Sequence, residues 1–162
     1  ITIRQIYSQT CDNSEILAWQ SNAIYTCDLE ELDMNVDLFV FAVKDDIIKD
    51  LAKYILQKNP LAKVVHTSGS VGLDVFGNAA NTGILYPLQS FSKTKKIDIS
   101  AVPFLITSHN EVFKKELIVF AKLLSDKVYE YTDDQRKHLH IAAVFVNNFS
   151  NHLFAIAQLT TN

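Results

Sequence analysis

Short, unbroken apolar runs alternating with helical patterns constrain this chain more than any other feature. The clearest run is Asp37–Val43, DLFVFAV, followed at once by a helical pattern with apolar positions at Ile47, Ile48, Leu51, Ile55 and Leu56. A short apolar run without period-two alternation is what a parallel strand buried on both faces requires. Apolar side chains spaced three and four apart form one stripe of a helix that covers such a sheet. Asp45 or Asp46 is expected to cap that helix.

The alternation extends in both directions. Ile1–Tyr7 reads as a strand, a short helix capped by Asp12 or Asn13 runs to Gln20, Ala23–Thr26 is a weak strand, and Asp28–Leu32 is a helical turn. Lys63–Thr67 is another buried strand ending in the polar turn Ser68-Gly69-Ser70. Gly83–Tyr86, Pro103–Thr107 and Lys127–Tyr131 complete the strands, with a helix capped by Asn110 running to Leu124. A long helix begins at Asp133 and runs to about Leu159. Strands separated by such helices predict an α/β, Rossmann-like, mainly parallel sheet followed by the start of an all-α domain. The expected domains are residues 1–131 and 132–162.

Composition excludes some partners. With 162 residues, 48% apolar and 20% charged, the chain has the balance of a globular protein. Its net charge of −3 gives no basic field for nucleic acid. Lys93, Lys95 and Lys96, the densest basic cluster, read as a solvated loop. The runs Leu38–Val43 and Ile141–Val146 are too short to span a bilayer, so no membrane partner is expected. Cys11 and Cys27 show no metal spacing and no signal sequence accompanies them, so they read as reduced thiols of a cytoplasmic protein. No GxSxG elbow supports a hydrolase.

Open parallel sheets bind ligands just beyond the carboxyl ends of their strands. Here those positions are Ser8-Gln9-Thr10, Lys44-Asp45-Asp46, Thr67-Ser68-Gly69-Ser70 and Pro87-Leu88-Gln89-Ser90. The GxGxxG loop that normally carries a dinucleotide pyrophosphate does not occur. Either the chain binds no dinucleotide, or the βα unit bearing that loop precedes Ile1. A beginning inside a strand favours the second.

Four ordered segments carry a resemblance: VFAVKDDII (Val40–Ile48), VVHTSGSVGLDVF (Val64–Phe76), YPLQSFSK (Tyr86–Lys93) and QRKHLHIAAVFVNNFSNHLF (Gln135–Phe154). Together they resemble bacterial proteins with a Rossmann-like NADP-binding domain and a C-terminal helical domain of unknown function 2520. Those proteins are similar to deazaflavin-dependent NADP oxidoreductases and pyrroline-carboxylate reductases. The resemblance implies an NADP-dependent oxidoreductase acting on a small carbonyl or imine, a homodimer built through the helical domain, a glycine-rich unit before Ile1 and further helices after Asn162.

It also implies roles for residues. Ser8, Gln9 and Thr10 would meet the adenosine end of the cofactor and Val43 and Lys44 the nicotinamide ribose, while Thr67, Ser68 and Gly69, small residues at a strand end, suit a close approach of backbone to the cofactor. The family often has Tyr-Ser-Arg-Thr where this chain has Tyr7-Ser8-Gln9-Thr10, so the arginine expected at the 2′-phosphate is missing. No carboxylate ends that strand to hold NAD either, and NADP stays ahead of NAD.

On the last helix, at about 100° per residue, His140, Asn147 and Asn151 fall within about 40° of one another. Leu139, Ala142, Phe145, Val146, Phe149, Leu153 and Ile156 fill the opposite side, where packing is expected. No charged residue occurs from His138 to Leu159, so the His/Asn stripe faces a cleft or another protein surface. Related hydroxyacid dehydrogenases place Lys and Asn four apart on this helix, whereas here Ile141 follows Lys137 at that spacing. His140 is then the proton-transfer group, with Asn147 and Asn151 orienting the substrate. His66 and His138 read as structural. The alternative is a regulatory or scaffold protein that holds the nucleotide without turnover.

Overall fold

The computed structural model describes residues 1–91 and 96–161. Lys93 and Lys95, and with them the end of the third resembling segment, lie outside the described residues. The chain gathers into two compact units, Ile1–Phe39 and Val40–Asn162.

The first unit is one βαβ turn. β1 (Gln5–Tyr7), α1 (Cys11–Ser21) and β2 (Ile24–Thr26) follow in order, with a 3-10 turn at Leu29–Glu31. β1 and β2 pair parallel, with Gln5 opposite Ile24 and Tyr7 opposite Thr26. Thr10, not Asp12 or Asn13, is the N-cap of α1. Asn22 closes the helix in the left-handed conformation at φ 53°, a backbone state that asparagine tolerates better than most residues. Only Ser14 and Ala18 of α1 are buried, so Trp19 stays exposed.

Cys11 and Cys27 form a disulfide, which overturns the reading of two reduced thiols. Spacing alone could not show this. The parallel crossover carries the chain from the start of α1 back past the end of β2, leaving the two Cα atoms 5.1 Å apart.

The second unit centres on a five-stranded sheet ordered β3-β4-β5-β6-β7. Its strands are β3 (Phe39–Phe41), β4 (Val64–His66), β5 (Thr82–Pro87), β6 (Phe104–Thr107) and β7 (Val128–Glu130). β4 runs parallel to β5 and β6 parallel to β7, while β5 and β6 are antiparallel, with Ile84 opposite Thr107. The mainly parallel α/β architecture is therefore present, with one reversal in the middle.

α2 (Asp45–Lys58) buries Ile48, Leu51, Ala52 and Ile55, the stripe its spacing predicts. Its N-cap is Lys44, with no side-chain cap bond. Asp45 and Asp46 stand one and two positions too late to cap and lie in the first turn, where carboxylates favour the helix dipole. α3 (Glu111–Lys122) is capped as its sequence predicts, the Asn110 side chain accepting from the Val112 and Phe113 N–H groups. A Cβ at Gly83 would meet Phe113 and Leu117, so glycine lets α3 lie close on β5.

Val64, Val65, Ile84, Ile106, Ile48 and Ala121 are shielded completely from solvent. β3 is less buried than its composition predicts: Phe41 is covered but Val40 is 46% exposed. Among the described residues no helix is long and apolar enough to cross a membrane.

α4 (Asp133–Thr161) starts with a reciprocal cap. The Thr132 N–H donates to Gln135 Oε1 at 3.0 Å and the Gln135 N–H to Thr132 Oγ1 at 3.3 Å. Its first two turns lie against the sheet unit. From Ile141 onward the helix is almost wholly exposed, Phe145, Val146, Phe149 and Leu153 included. The packing expected for that apolar side is thus not made by the described residues. Amphipathicity specifies that a face wants cover without specifying which chain supplies it.

Candidate functional site

In the second unit, residues that follow β3 and β4 converge with Tyr86 of β5 and the start of α4. Thr67 joins the first two: its N–H and its hydroxyl both donate to the Phe41 carbonyl, at 3.1 and 3.2 Å. Beyond Thr67 the chain turns tightly. Ser68 Oγ accepts from the Ser70 and Val71 N–H groups, each at 3.1 Å, and lies 3.1 Å from Ser70 Oγ. Ser70 Oγ donates to Asp45 Oδ2, tying this turn to the first turn of α2. Ser70 caps no helix; the chain proceeds through Gly72 to a 3-10 turn at Leu73–Phe76.

Arg136 holds the turn from α4. It is completely buried. Nη1 donates to the Ser68 carbonyl at 3.0 Å and to that of Gly69, and Nη2 donates to the Val71 carbonyl at 2.6 Å and to Asp133 Oδ1 at 2.9 Å. The other oxygen of Asp133 accepts from the Leu73 N–H at 3.0 Å. Burial acts to raise the Asp133 carboxyl, but the bonds from Arg136 and Leu73 and the charges of Arg136 and Lys137 hold it below the usual carboxylate value.

One turn further along α4, His140 meets Tyr86. The Tyr86 hydroxyl and His140 Nδ1 are 2.8 Å apart and the rings stand edge to face. Burial raises the Tyr86 phenol above its ordinary value, partly offset by the charge of Arg136. Gly69 lies directly beneath the His140 ring, where any Cβ would collide with the imidazole. Two groups able to exchange a proton thus stand over the polar turn.

His66 has the structural part expected of it. Its ring is buried and stacked on Phe76, and Nδ1 accepts from the Ser68 N–H at 3.2 Å. Burial pushes this imidazole down to about 4; the Gly72 backbone and nearby carboxylates oppose the push, and Arg136 adds to it. His66 is therefore neutral near pH 7 and unsuited to trading protons there.

The other expected site residues divide clearly. Val43 and Lys44 are exposed after β3. Thr67, Ser68 and Gly69 are gathered with His140, while Asn147 and Asn151 are not. Those asparagines are exposed, joined to each other by a 3.5 Å bond, and stand roughly 10 and 16 Å further along the helix at its ordinary rise. His138 is exposed rather than turned into packing, its ring bonded to the Asp134 carbonyl at 2.7 Å.

In the first unit, Ser8 and Thr10 hydroxyls lie 3.4 Å apart after β1, Gln9 is exposed, and Thr10 makes no side-chain cap bond to α1. Arg4 is engaged elsewhere, with Nε 3.1 Å from Asp33.

Sequence reasoning missed Arg136 and Tyr86 as members of the site. Arg136 offered one signal, an acid three residues before it on a helix that lacks charge further on. Tyr86 offered none, being one more aromatic residue in a buried strand.

Residues 102–162 match the family described as Domain of unknown function (DUF2520). A Bacteroides fragilis protein named "putative NADP oxidoreductase" is 36% identical, with a TM-score of 0.88 over 96% of this chain and 61% of that one. A Thermotoga maritima protein shares the fold at 20% identity and a TM-score of 0.73, over 96% of this chain and 60% of that one. A Myxococcus stipitatus imine reductase, solved with NADP+, shares it at 15% identity and a TM-score of 0.66, over 96% and 56%. The chain thus spans about six-tenths of the length of these proteins. No curated protein matches it in sequence.

Proposed function

We propose that this chain, a Rossmann-like member of the proteins that bear the DUF2520 segment, works as an NADP-dependent oxidoreductase on a small carbonyl or imine substrate. The observation that carries the reading is the Tyr86–His140 pair standing over the Thr67–Gly69 turn at the end of a parallel strand. Ligands of open α/β sheets bind at such ends. The 36% identity to the Bacteroides fragilis protein supports NADP over NAD.

Each unit carries polar groups of its own at its strand ends. In the first unit, the Ser8 and Thr10 hydroxyls beside a helix start without a side-chain cap suit a phosphate group. In the second, the half-buried Thr67 and Ser68 and the exposed Val43 and Lys44 suit a ribose and an amide, whereas Gly69 is buried beneath His140. The nicotinamide, when bound, supplies or takes the hydride. The protein orients the substrate and handles the proton. The Tyr86 hydroxyl and His140 Nδ1 share a hydrogen bond that orients the ring, and a proton carried by the ring can pass to the substrate oxygen or nitrogen and be replaced from solvent through the half-exposed His140.

In the intact protein, His140→Gln is expected to abolish most turnover, followed by nicotinamide absorbance across carbonyl and imine substrates, while NADPH still binds. Undiminished turnover removes His140 from the chemistry. NADPH binding by the wild type with no turnover on any substrate favours the scaffold alternative, which the Ile141 standing four residues after Lys137 supports. The exposed apolar side chains of α4 support assembly as a homodimer through this helix. Light scattering that returned only monomer would refute that assembly.

A further inference from the structure

Arg136 is an odd residue to bury. A guanidinium taken wholly out of water costs several kcal/mol unless its partners are well placed, and an apolar side chain would fill the same space without that cost. Its partners show what the charge is used for. Three carbonyls of one short turn, those of Ser68, Gly69 and Val71, point at this single cation, and Asp133 balances it from the preceding helical turn.

The same stretch of α4 makes two more contacts with the same turn and its neighbours. Asp133 accepts from the Leu73 N–H at the far end of the turn. His140, one helical turn beyond Arg136, rests on Gly69 and reaches Tyr86. Gly69 is thus gripped through its carbonyl by Arg136 and covered at its Cα by His140. An irregular turn of small residues has little packing of its own to fix its height, and here a rigid helix sets it.

We propose that Arg136 is a positioning residue. By drawing the Ser68, Gly69 and Val71 carbonyls onto α4, it fixes His140 at one height above the turn, so that the turn and the Tyr86–His140 pair behave as one rigid piece. The inference rests on the oxidoreductase reading for its catalytic consequence, but not for its mechanical one. Arg136, shielded wholly from solvent, acts through Gly69 and His140.

Arg136→Lys in the intact protein tests this, because it keeps the charge and loses the fork that spans three carbonyls. The side-chain NMR signal of His140, assigned with His140→Gln, is expected to move, and the Gly69 amide to exchange with solvent about ten-fold faster or more. Turnover is expected to fall about ten-fold or more, while the NADPH Kd rises by no more than about three-fold, since misplacing a reacting group by an ångström costs rate before it costs binding. A folded Arg136→Lys protein whose His140 signal and Gly69 exchange match the wild type overturns the proposal, whatever its melting temperature. If Arg136→Lys does not fold, Asp133→Asn, which leaves the fork and weakens its anchor, must move the His140 signal in the same direction; an unmoved signal is equally fatal. A wild type without NADPH binding or turnover would end the oxidoreductase reading, and the His140 and Gly69 signals would still decide the mechanical one.

Discussion

Residues 133–140 and 141–160 of α4 come from one uninterrupted helical pattern and meet opposite fates. The first stretch puts Arg136 out of reach of solvent and rests His140 on Gly69. The second leaves Phe145, Phe149, Leu153 and Phe154 each more than half exposed. The apolar character is greater in the exposed stretch. What separates the two is what their side chains meet: the Ser68, Gly69 and Val71 carbonyls and Tyr86 for Arg136 and His140, and largely open surface for Phe145, Phe149, Leu153 and Phe154. Burial in this helix follows polar docking, and a hydrophobic side is left waiting.

The contrast can be broken most sharply at Arg136. Arg136→Met is expected to lower unfolding free energy by about 3–5 kcal/mol, because it leaves three inward-facing carbonyls without their donor and takes one partner from Asp133. Urea denaturation measures it; a loss below about 1 kcal/mol would mean that the turn does not depend on α4.

His66 lies under the same turn and gives it a pH dependence. Its ordinary value of 6.5 falls to about 4 in the folded protein. A histidine lowered on folding holds its stability contribution above 6.5 and loses it as pH falls towards 4, because the unfolded chain takes up the proton first. The loss should reach roughly 3 kcal/mol across that window. His66→Phe, which keeps a ring against Phe76, should flatten this part of the stability profile; an unchanged slope would assign it to other groups.

Gly69→Ala sharpens the comparison from the other side. The added methyl collides with the His140 ring, and the expected cost is about 1–3 kcal/mol. His140→Ala in the same background should return most of it, a coupling that a double-mutant cycle reads directly.

The smallest effect belongs to the exposed stretch. Leu153→Ala in this chain should change stability by less than about 0.5 kcal/mol. In an assembled dimer the same substitution should cost several times more, with a melting temperature that depends on protein concentration. Equal, small effects in both would leave this side chain outside any interface.

Much of the fold was legible because it depends on short-range physics. The spacing of Ile48, Leu51 and Ile55 defines a stripe on α2 wherever that helix sits, and Asn110 caps α3 with no help from the sheet. The candidate site was legible in part. His140 and the Thr67–Gly69 turn could be named from position and chemistry, since strand ends collect ligands and histidine handles protons. Asn147 and Asn151 followed from angular position alone, which ignores the distance along the helix axis that separates them from His140.

Arg136 and Tyr86 were out of reach for a different reason. Their roles are defined by partners about fifty to seventy residues away, and periodicity carries no information at that separation. The same holds for Cys11 and Cys27, whose bond depends on a parallel crossover that no spacing rule encodes. The sequence by itself determined which segments are strands and helices and which faces are apolar, because those follow from the local period. The tertiary structure alone decided which buried charge grips which carbonyls, because solvation and pairing of a charge are settled only when the chain has closed around it.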